Sequence, residues 1–244
     1  VQMGLYLRAA SLVELDEHAQ FLRWAHDTYT FVLYGGTIRR GFYLQEYTDH
    51  TLGTESSTFA LMTKNTLLEL HPKPAHLVGR GSNARMEPII KQFIASEKRR
   101  VYEKGITFDP GDCAEGYYNL FKGFPVAPAQ GDCSRFWDHV EVIICAGNAT
   151  LYTYMRKWMA HLFQRPTELP GVAPVLRGTQ GLGKGVFVQH LGRLVGPHFV
   201  QVTQAQHLLG KFNMHQANKL LVFADEAVWG GDKKQEGVLK GLIT

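Results

Sequence analysis

Between residues 11 and 25 apolar side chains recur at mostly three- and four-residue steps, at Leu12, Val13, Leu15, Ala19, Leu22 and Ala25, with Glu14, Asp16 and Glu17 in the opening turn. An apolar stripe at this period, with acidic groups at the positive end of the helix dipole, predicts a helix over Ser11–Trp24. The period then changes. Tyr29–Tyr34 is β-branched and aromatic, Gly35-Gly36 is a two-residue hairpin signal, and Thr37–Leu44 resumes the strand character, so a β-hairpin is expected. Thr51–Ser57 is polar, Thr58–Thr63 is a short apolar run, and His71-Pro72-Lys73-Pro74 marks a turn or loop. Pro88, the apolar set Ile89, Ile90, Phe93, Ile94 and Val101, and the charge run Glu97–Arg100 predict an amphipathic helix over Glu87–Gly105 with the charge run as its solvated face.

Phe108–Asp112 is turn chemistry, Tyr117–Phe124 returns to strand character, and Pro125–Gly131 reads as a loop. Asp132 or Ser134 is placed to cap a helix running to Cys145; Gly147-Asn148 breaks it, and Leu151–Phe163 gives a second helix stopped by Pro166. Three prolines within Arg165–Pro174 mark a linker. Beyond it the order becomes strand (Val172–Leu176), glycine loop, helix (Val186–Val195), strand and helix. Leu220–Ala224 is apolar throughout, as a strand buried on both faces would be.

Composition narrows the classes. A chain of 244 residues, 45% apolar and 20% charged, has room for one large domain or two modest ones. Lys+Arg 26 against Asp+Glu 22 leaves +4, which excludes a basic field over the whole surface and confines any nucleic-acid contact to a local patch. No apolar run reaches the roughly 18 to 20 residues of a membrane span, and the opening residues do not read as a basic-then-apolar segment ending at a small-residue cleavage site. Three cysteines without C-x-x-C spacing suit a reducing compartment, and a cytoplasmic protein is expected.

The chemistry concentrates after the linker. Gly178, Thr179, Gln180, Gly181, Leu182, Gly183, Lys184 and Gly185 read G-x-x-x-x-G-K between a predicted strand and a predicted helix. In that context glycines turn backbone N–H groups around phosphate oxygens, the helix presents its positive end, and Lys184 reaches the terminal phosphates. Downstream, the apolar run ends at Asp225-Glu226, a Walker B pattern. A carboxylate there holds Mg²⁺ through water while its neighbour polarises an attacking water. Lys233, Lys234 and Lys240 follow, as candidates either for DNA contact or for a solvated helix face.

Both motifs together resemble those of the superfamily 3 helicases within the AAA+ class of P-loop ATPases, and more closely the phage and prophage primase-helicases. The supporting segments are Gly116–Phe124, Gly131–Ser134, Trp158–Pro166, the glycine loop, Gly196–Phe199 and Leu221–Trp229. The resemblance implies an α/β protein: a mixed α+β region (1–130), a helical pair (131–168), and a three-layer P-loop module (169–244) with strands at Val172, Phe199 and Leu220. It further implies ATP and Mg²⁺ as cofactors, a homo-hexameric ring on single-stranded or forked DNA, no membrane association and, for a phage-encoded protein, the bacterial host cytoplasm. Carried over, Gly178–Val186 hold nucleotide, with Lys184 on the β- and γ-phosphates; Asp225 serves Mg²⁺ and Glu226 activates water. The chain departs from the pattern where Gly185 and Val186 replace the usual Ser or Thr. The chain opens on Val1 and stops at Thr244, before the DNA hairpin, sensor and arginine finger such motors carry. A piece of a larger protein is therefore expected, slow in hydrolysis by itself. The alternatives are another P-loop enzyme, such as a packaging ATPase or nucleotide kinase, and a nucleotide-binding module without turnover.

Other candidates weigh less. Cys113, Cys133, His139 and Cys145 include two Gly-Asp-Cys triplets, but structural zinc uses closely paired ligands, so buried or loop thiols are expected. His190, His198, His207 and His215 read as surface or packing residues, and Trp24, Trp137, Trp158 and Trp229 as core.

Overall fold

The first amphipathic pattern forms helix α1 over residues 16–28 in a computed structural model that describes residues 16–35, 39–49, 56–79, 81–209, 216–225, 237, 240–241 and 243. The first five residues of the expected helix lie outside these, as does the polar stretch at 51–55. The chain packs as two units: Val1–Tyr47, Phe59–Thr107 and Ala114–Tyr118 form the first, and Thr48–Thr58, Phe108–Cys113 and Asn119–Thr244 the second.

In the first unit, strand β1 (Tyr29–Tyr34) runs antiparallel to β2 (Arg40–Asp49). Tyr34 pairs with Arg40, so five residues connect the strands rather than the two that Gly35-Gly36 suggested. Strand β3 (Ser56–Met62), helix α2 (Lys64–Leu70) and strand β4 (Ala75–Val78) follow. Thr63 caps α2 through its side chain, which accepts from Thr66 N.

The helix expected over Glu87–Gly105 is replaced by three shorter elements: β5 (Arg85–Pro88), paired antiparallel with β4, helix α3 (Ile90–Ala95), and β6 (Val101–Tyr102), paired parallel with β1. Local chemistry explains the break. Ser96 is extended and its hydroxyl accepts from Lys98 N at 3.2 Å, a side-chain bond that competes with the helix ladder. Glu97, Lys98 and Arg100 are exposed, as expected of the charge run, but two of its members also bond backbone carbonyls elsewhere. Arg100 donates to the carbonyls of His26 and Asp27 at 3.1 and 2.8 Å, closing the C-terminus of α1, and Arg99 donates to Ile94 O and stacks 4.6 Å from the Phe31 ring.

The order β3-β2-β1-β6 makes a four-stranded sheet. Helices and sheet close on Ala25, Tyr29, Tyr43, Met62, Leu67, Ile90 and Phe93. The hydroxyl of Tyr29 meets His71 Nε2 at 2.7 Å. Trp24, expected in the core, is 41% exposed and meets Tyr29 and His71 edge-on, so it shields the cluster from its rim. Strands β7 (Gly105–Thr107) and β8 (Tyr117–Asn119) form a separate ladder; the strand expected to reach Phe124 stops at Asn119, whose side chain accepts from Asp109 N and Phe121 N.

In the second unit Asp132 accepts from Ser134 N at 2.8 Å at the start of α4 (Ser134–Asp138), which passes into a π-helical segment, His139–Ile144. Asn148 caps α5 (Ala149–Gln164), whose Met155 and Met159 face the core. Helix α6 (Lys184–Val195) buries Phe187, Val188, Leu191 and Val195 against them, the stripe its sequence predicts. Strands β9 (Phe199–Val202) and β10 (Leu221–Ala224) pair in parallel, with α7 (Ala205–Leu209) between them in sequence.

Alternation along the two strands sorts their side chains. Phe199, Leu221 and Phe223 join α5 and α6, whereas Val200, Val202 and Val222 join Leu208 of α7, so the parallel pair is covered on both faces. The strand expected at Val172–Leu176 does not form. Pro174 has no N–H to offer a ladder, and Val175 is 80% exposed, so neither pairing nor burial favours extension there. His198, fully buried, accepts from Lys122 N at Nε2 (3.0 Å), bonds Asn218 O through Nδ1 (2.8 Å) and stacks on Phe121.

Candidate functional site

The glycine loop leads directly into α6. Gly181 and Gly183 have φ of +86° and +80°, left-handed values that cost an L side chain about 1–2 kcal/mol each. Gly183 is the residue on which the helix starts, and Lys184 is its first helical position. Gly183 O accepts from Phe187 N at 3.1 Å, which closes the first turn. The N–H groups of Lys184, Gly185 and Val186 then have no acceptor within the helix, and the dipole makes that end positive. Lys184 Nζ folds back on the loop, donating to the carbonyls of Gly178 and Thr179 at 2.9 Å each. Leu182 and Val186 are 46% and 55% exposed, so the mouth of the loop faces solvent. These groups suit a phosphate chain: N–H donors, a positive helix end, and an ammonium already in the loop.

A second wall comes from the π-helical segment. His139 Nε2 donates to Gly183 O at 3.2 Å, so the ring lies against the loop where a Cβ on Gly183 would stand 2.5 Å from its Cε1. Beside it opens a cleft of about 690 Å³ lined by Asp132, Cys133, Arg135, Phe136, His139, Val186, Phe187 and His190. Phe136 stacks on Phe187, giving the cleft an apolar floor. The backbone N–H and hydroxyl of Ser134 hold the Asp132 carboxyl below the usual carboxylate range.

Asp225 lies at the end of β10, its N–H bonded to Val202 O at 2.9 Å. Its Oδ2 accepts from Gln201 Nε2 of β9 at 2.9 Å, and Gln201 Oε1 accepts from Gln189 Nε2 of α6 at 2.5 Å. Hydrogen bonds therefore connect the helix carrying Lys184 to the strand carrying Asp225. Glu226, Lys233 and Lys234 lie outside the described residues; Lys240 is helical and exposed. Cys133 is exposed and Cys145 buried, and burial, then the Glu141 charge, pushes the Cys145 thiol up. Among the described residues no group of three or more His, Cys, Asp or Glu is placed to hold a metal, and no helix is long and apolar enough to cross a membrane.

The sequence reading missed His139, Gln189 and Gln201 at this site. Gln201 had a visible signal, the one strongly polar side chain in an apolar strand. His139 had none, because its partner Gly183 lies 44 positions further along the chain.

Residues 176–244 match the model of a protein family of unknown function, DUF5906. No curated protein matches the chain. Among solved structures, the apo NrS-1 C-terminal region (residues 305–718) shares the fold at TM-score 0.54 and 21% identity, over 82% of this chain and 48% of that one. An A-form apo structure of the same region matches at TM-score 0.53 and 22% identity, over 82% and 47%. The chain thus spans about half the length of the structures it matches.

Proposed function

We propose that this chain is the ATP-binding motor portion of a phage-type DNA replication helicase, acting in the host cytoplasm. The observation that carries the reading is the delivery of Lys184, by left-handed Gly181 and Gly183, to the open N-terminus of α6, with Asp225 tied to the same helix. In this reading the loop N–H groups of Gly178–Val186 surround the β- and γ-phosphates. Lys184 exchanges its two loop carbonyls for phosphate oxygens. The cleft beside His139, whose about 690 Å³ suits a small ligand, takes the nucleoside end. Asp225 would hold Mg²⁺ through its water ligands, the cation would supply charge neutralisation at the phosphates, and Glu226 would polarise the attacking water. Lys233, Lys234 and Lys240 serve DNA, and the complete protein assembles as a hexameric ring. Fold likeness to the NrS-1 C-terminal region supports the architecture, and the motif resemblance supports the activity.

Calorimetric titration of ATP into wild type and Lys184→Ala tests the reading. Wild type binds, and at a hundredfold excess over Kd gains about 2.7 kcal/mol of stability. Equal affinity in the variant overturns the assignment. DNA-stimulated hydrolysis by the full-length protein separates a motor from a binding module without turnover.

A further inference from the structure

Resting on the nucleotide reading above, we infer that Gln201 is a positioning residue for the metal site: it orients the Asp225 carboxylate toward Mg²⁺, and Gln189 in turn orients Gln201. A P-loop lysine is ordinarily followed by a hydroxyl that ligates Mg²⁺. Here Gly185 and Val186 follow Lys184, and neither has one. In the nucleotide reading Asp225 is the carboxylate given to the cation, so the hold on the cation depends on how that carboxylate is aimed. Phosphate oxygens and water would supply the cation's other ligands.

The aim is fixed by the direction of the hydrogen bonds. An ionised carboxylate only accepts, so Gln201 must turn its NH₂ toward Asp225 Oδ2, at 2.9 Å. The Gln201 oxygen then faces α6, where it accepts from the Gln189 NH₂ at 2.5 Å. A flip of either amide would set two oxygens or two NH₂ groups against each other, so the pair has one consistent arrangement. Asp225 N, bonded to Val202 O, fixes the backbone end of the same side chain. With Oδ2 held by Gln201 and the Cα held by the ladder, the plane of the carboxylate is set, and with it the direction of Oδ1. Gln189 lies five residues after Lys184 on one rigid helix, so the lysine that grips phosphate and the carboxylate that orients the metal water share a support.

The experiment measures affinity for a fluorescent ATP analogue in EDTA and in saturating Mg²⁺, for wild type, Gln201→Met and Gln189→Met. Methionine keeps the length of the side chain and removes its donors. Wild type binds in EDTA through the loop and Lys184, and Mg²⁺ tightens that binding. Gln201→Met keeps the EDTA affinity and loses about tenfold or more of the Mg²⁺ increment, the range found when partners of metal ligands are removed. Gln189→Met loses a smaller part of the same increment. A purely packing role would lower both affinities together or leave both unchanged. If Gln201→Met does not fold, Gln189→Met, which leaves the bond to Asp225 in place, carries the test by itself. A full Mg²⁺ increment in the folded variants overturns the inference, as does a wild type that binds nucleotide equally with and without Mg²⁺. A wild type that binds nucleotide in neither condition overturns the nucleotide reading itself, and this inference with it.

Discussion

Gly183→Ala tests the geometry of the loop more sharply than removal of any charged group, because two independent costs fall on one methyl. The residue sits at φ +80°, ψ 12°. An L side chain in that left-handed well costs about 1–2 kcal/mol. The new Cβ would also stand 2.5 Å from His139 Cε1 and 3.2 Å from its Nε2. If the imidazole stays, overpacking of this kind adds about 1–3 kcal/mol. If it swings aside, its bond to Gly183 O is lost, a net of about 0.5–1.5 kcal/mol. The expected destabilisation is the strain plus whichever of these costs applies, about 1.5–5 kcal/mol. Pairing it with His139→Ala separates the two parts. The double variant relieves the clash but not the backbone strain, so it falls short of additivity by about 0.5–3 kcal/mol. Urea unfolding of wild type, both single variants and the double variant, at unchanged m-value, supplies the four free energies. Strict additivity would show that His139 does not press on the loop. A Gly183→Ala variant within about 0.5 kcal/mol of wild type would refute the left-handed loop altogether.

Gly185→Thr adds the missing hydroxyl at a position where a Cβ meets nothing within 4 Å, so the variant folds and binds Mg²⁺–ATP more tightly than wild type in the same titration. Unchanged affinity in the folded variant would count against a missing metal ligand at that position. Burial holds the His71 imidazole below its ordinary 6.5, and its Nε2 shares a hydrogen bond with the Tyr29 hydroxyl. The unfolded chain therefore takes up that proton first. Stability from this group is complete above about pH 6.5 and is lost as pH falls from there through the lower folded value. His71→Asn flattens this part of the profile in thermal melts between about pH 7 and 5, and an unchanged slope would contradict the argument.

What could be read from the chain alone was whatever depends on neighbours in sequence. The stripes of α1, α5 and α6, the β1–β2 pairing and the apolar strand at Leu221–Ala224 follow from spacing. So do the glycine positions of the loop, because only glycine takes a left-handed φ without cost. The errors came where distant groups decide. Arg99 and Arg100 look like the wet side of a helix, yet Arg100 closes the end of α1, more than seventy residues earlier. Val172–Leu176 looks like a strand, but a strand requires a neighbour, and the segment lies exposed. The link from Gln189 through Gln201 to Asp225 joins three elements that no local pattern connects. His139, where α4 passes into the π-helical segment, meets a glycine 44 positions further along the chain, a contact no local pattern reveals.

Lys219 and Asn218, immediately before β10, both donate to the carbonyl of Ser57, and Lys219 also reaches Pro197 O. Ser57 is separated from Lys219 by 162 positions, yet packs with the second unit. During synthesis this carbonyl leaves the ribosome long before its donors exist, so the second unit is not a self-contained length of chain that folds behind the first. Strand β10 is anchored only when segments 162 positions apart have both been made, a long-range closure of the kind that slows folding. An excised C-terminal half, beginning at Asn119, would leave an ammonium and an amide aimed at an acceptor it no longer contains.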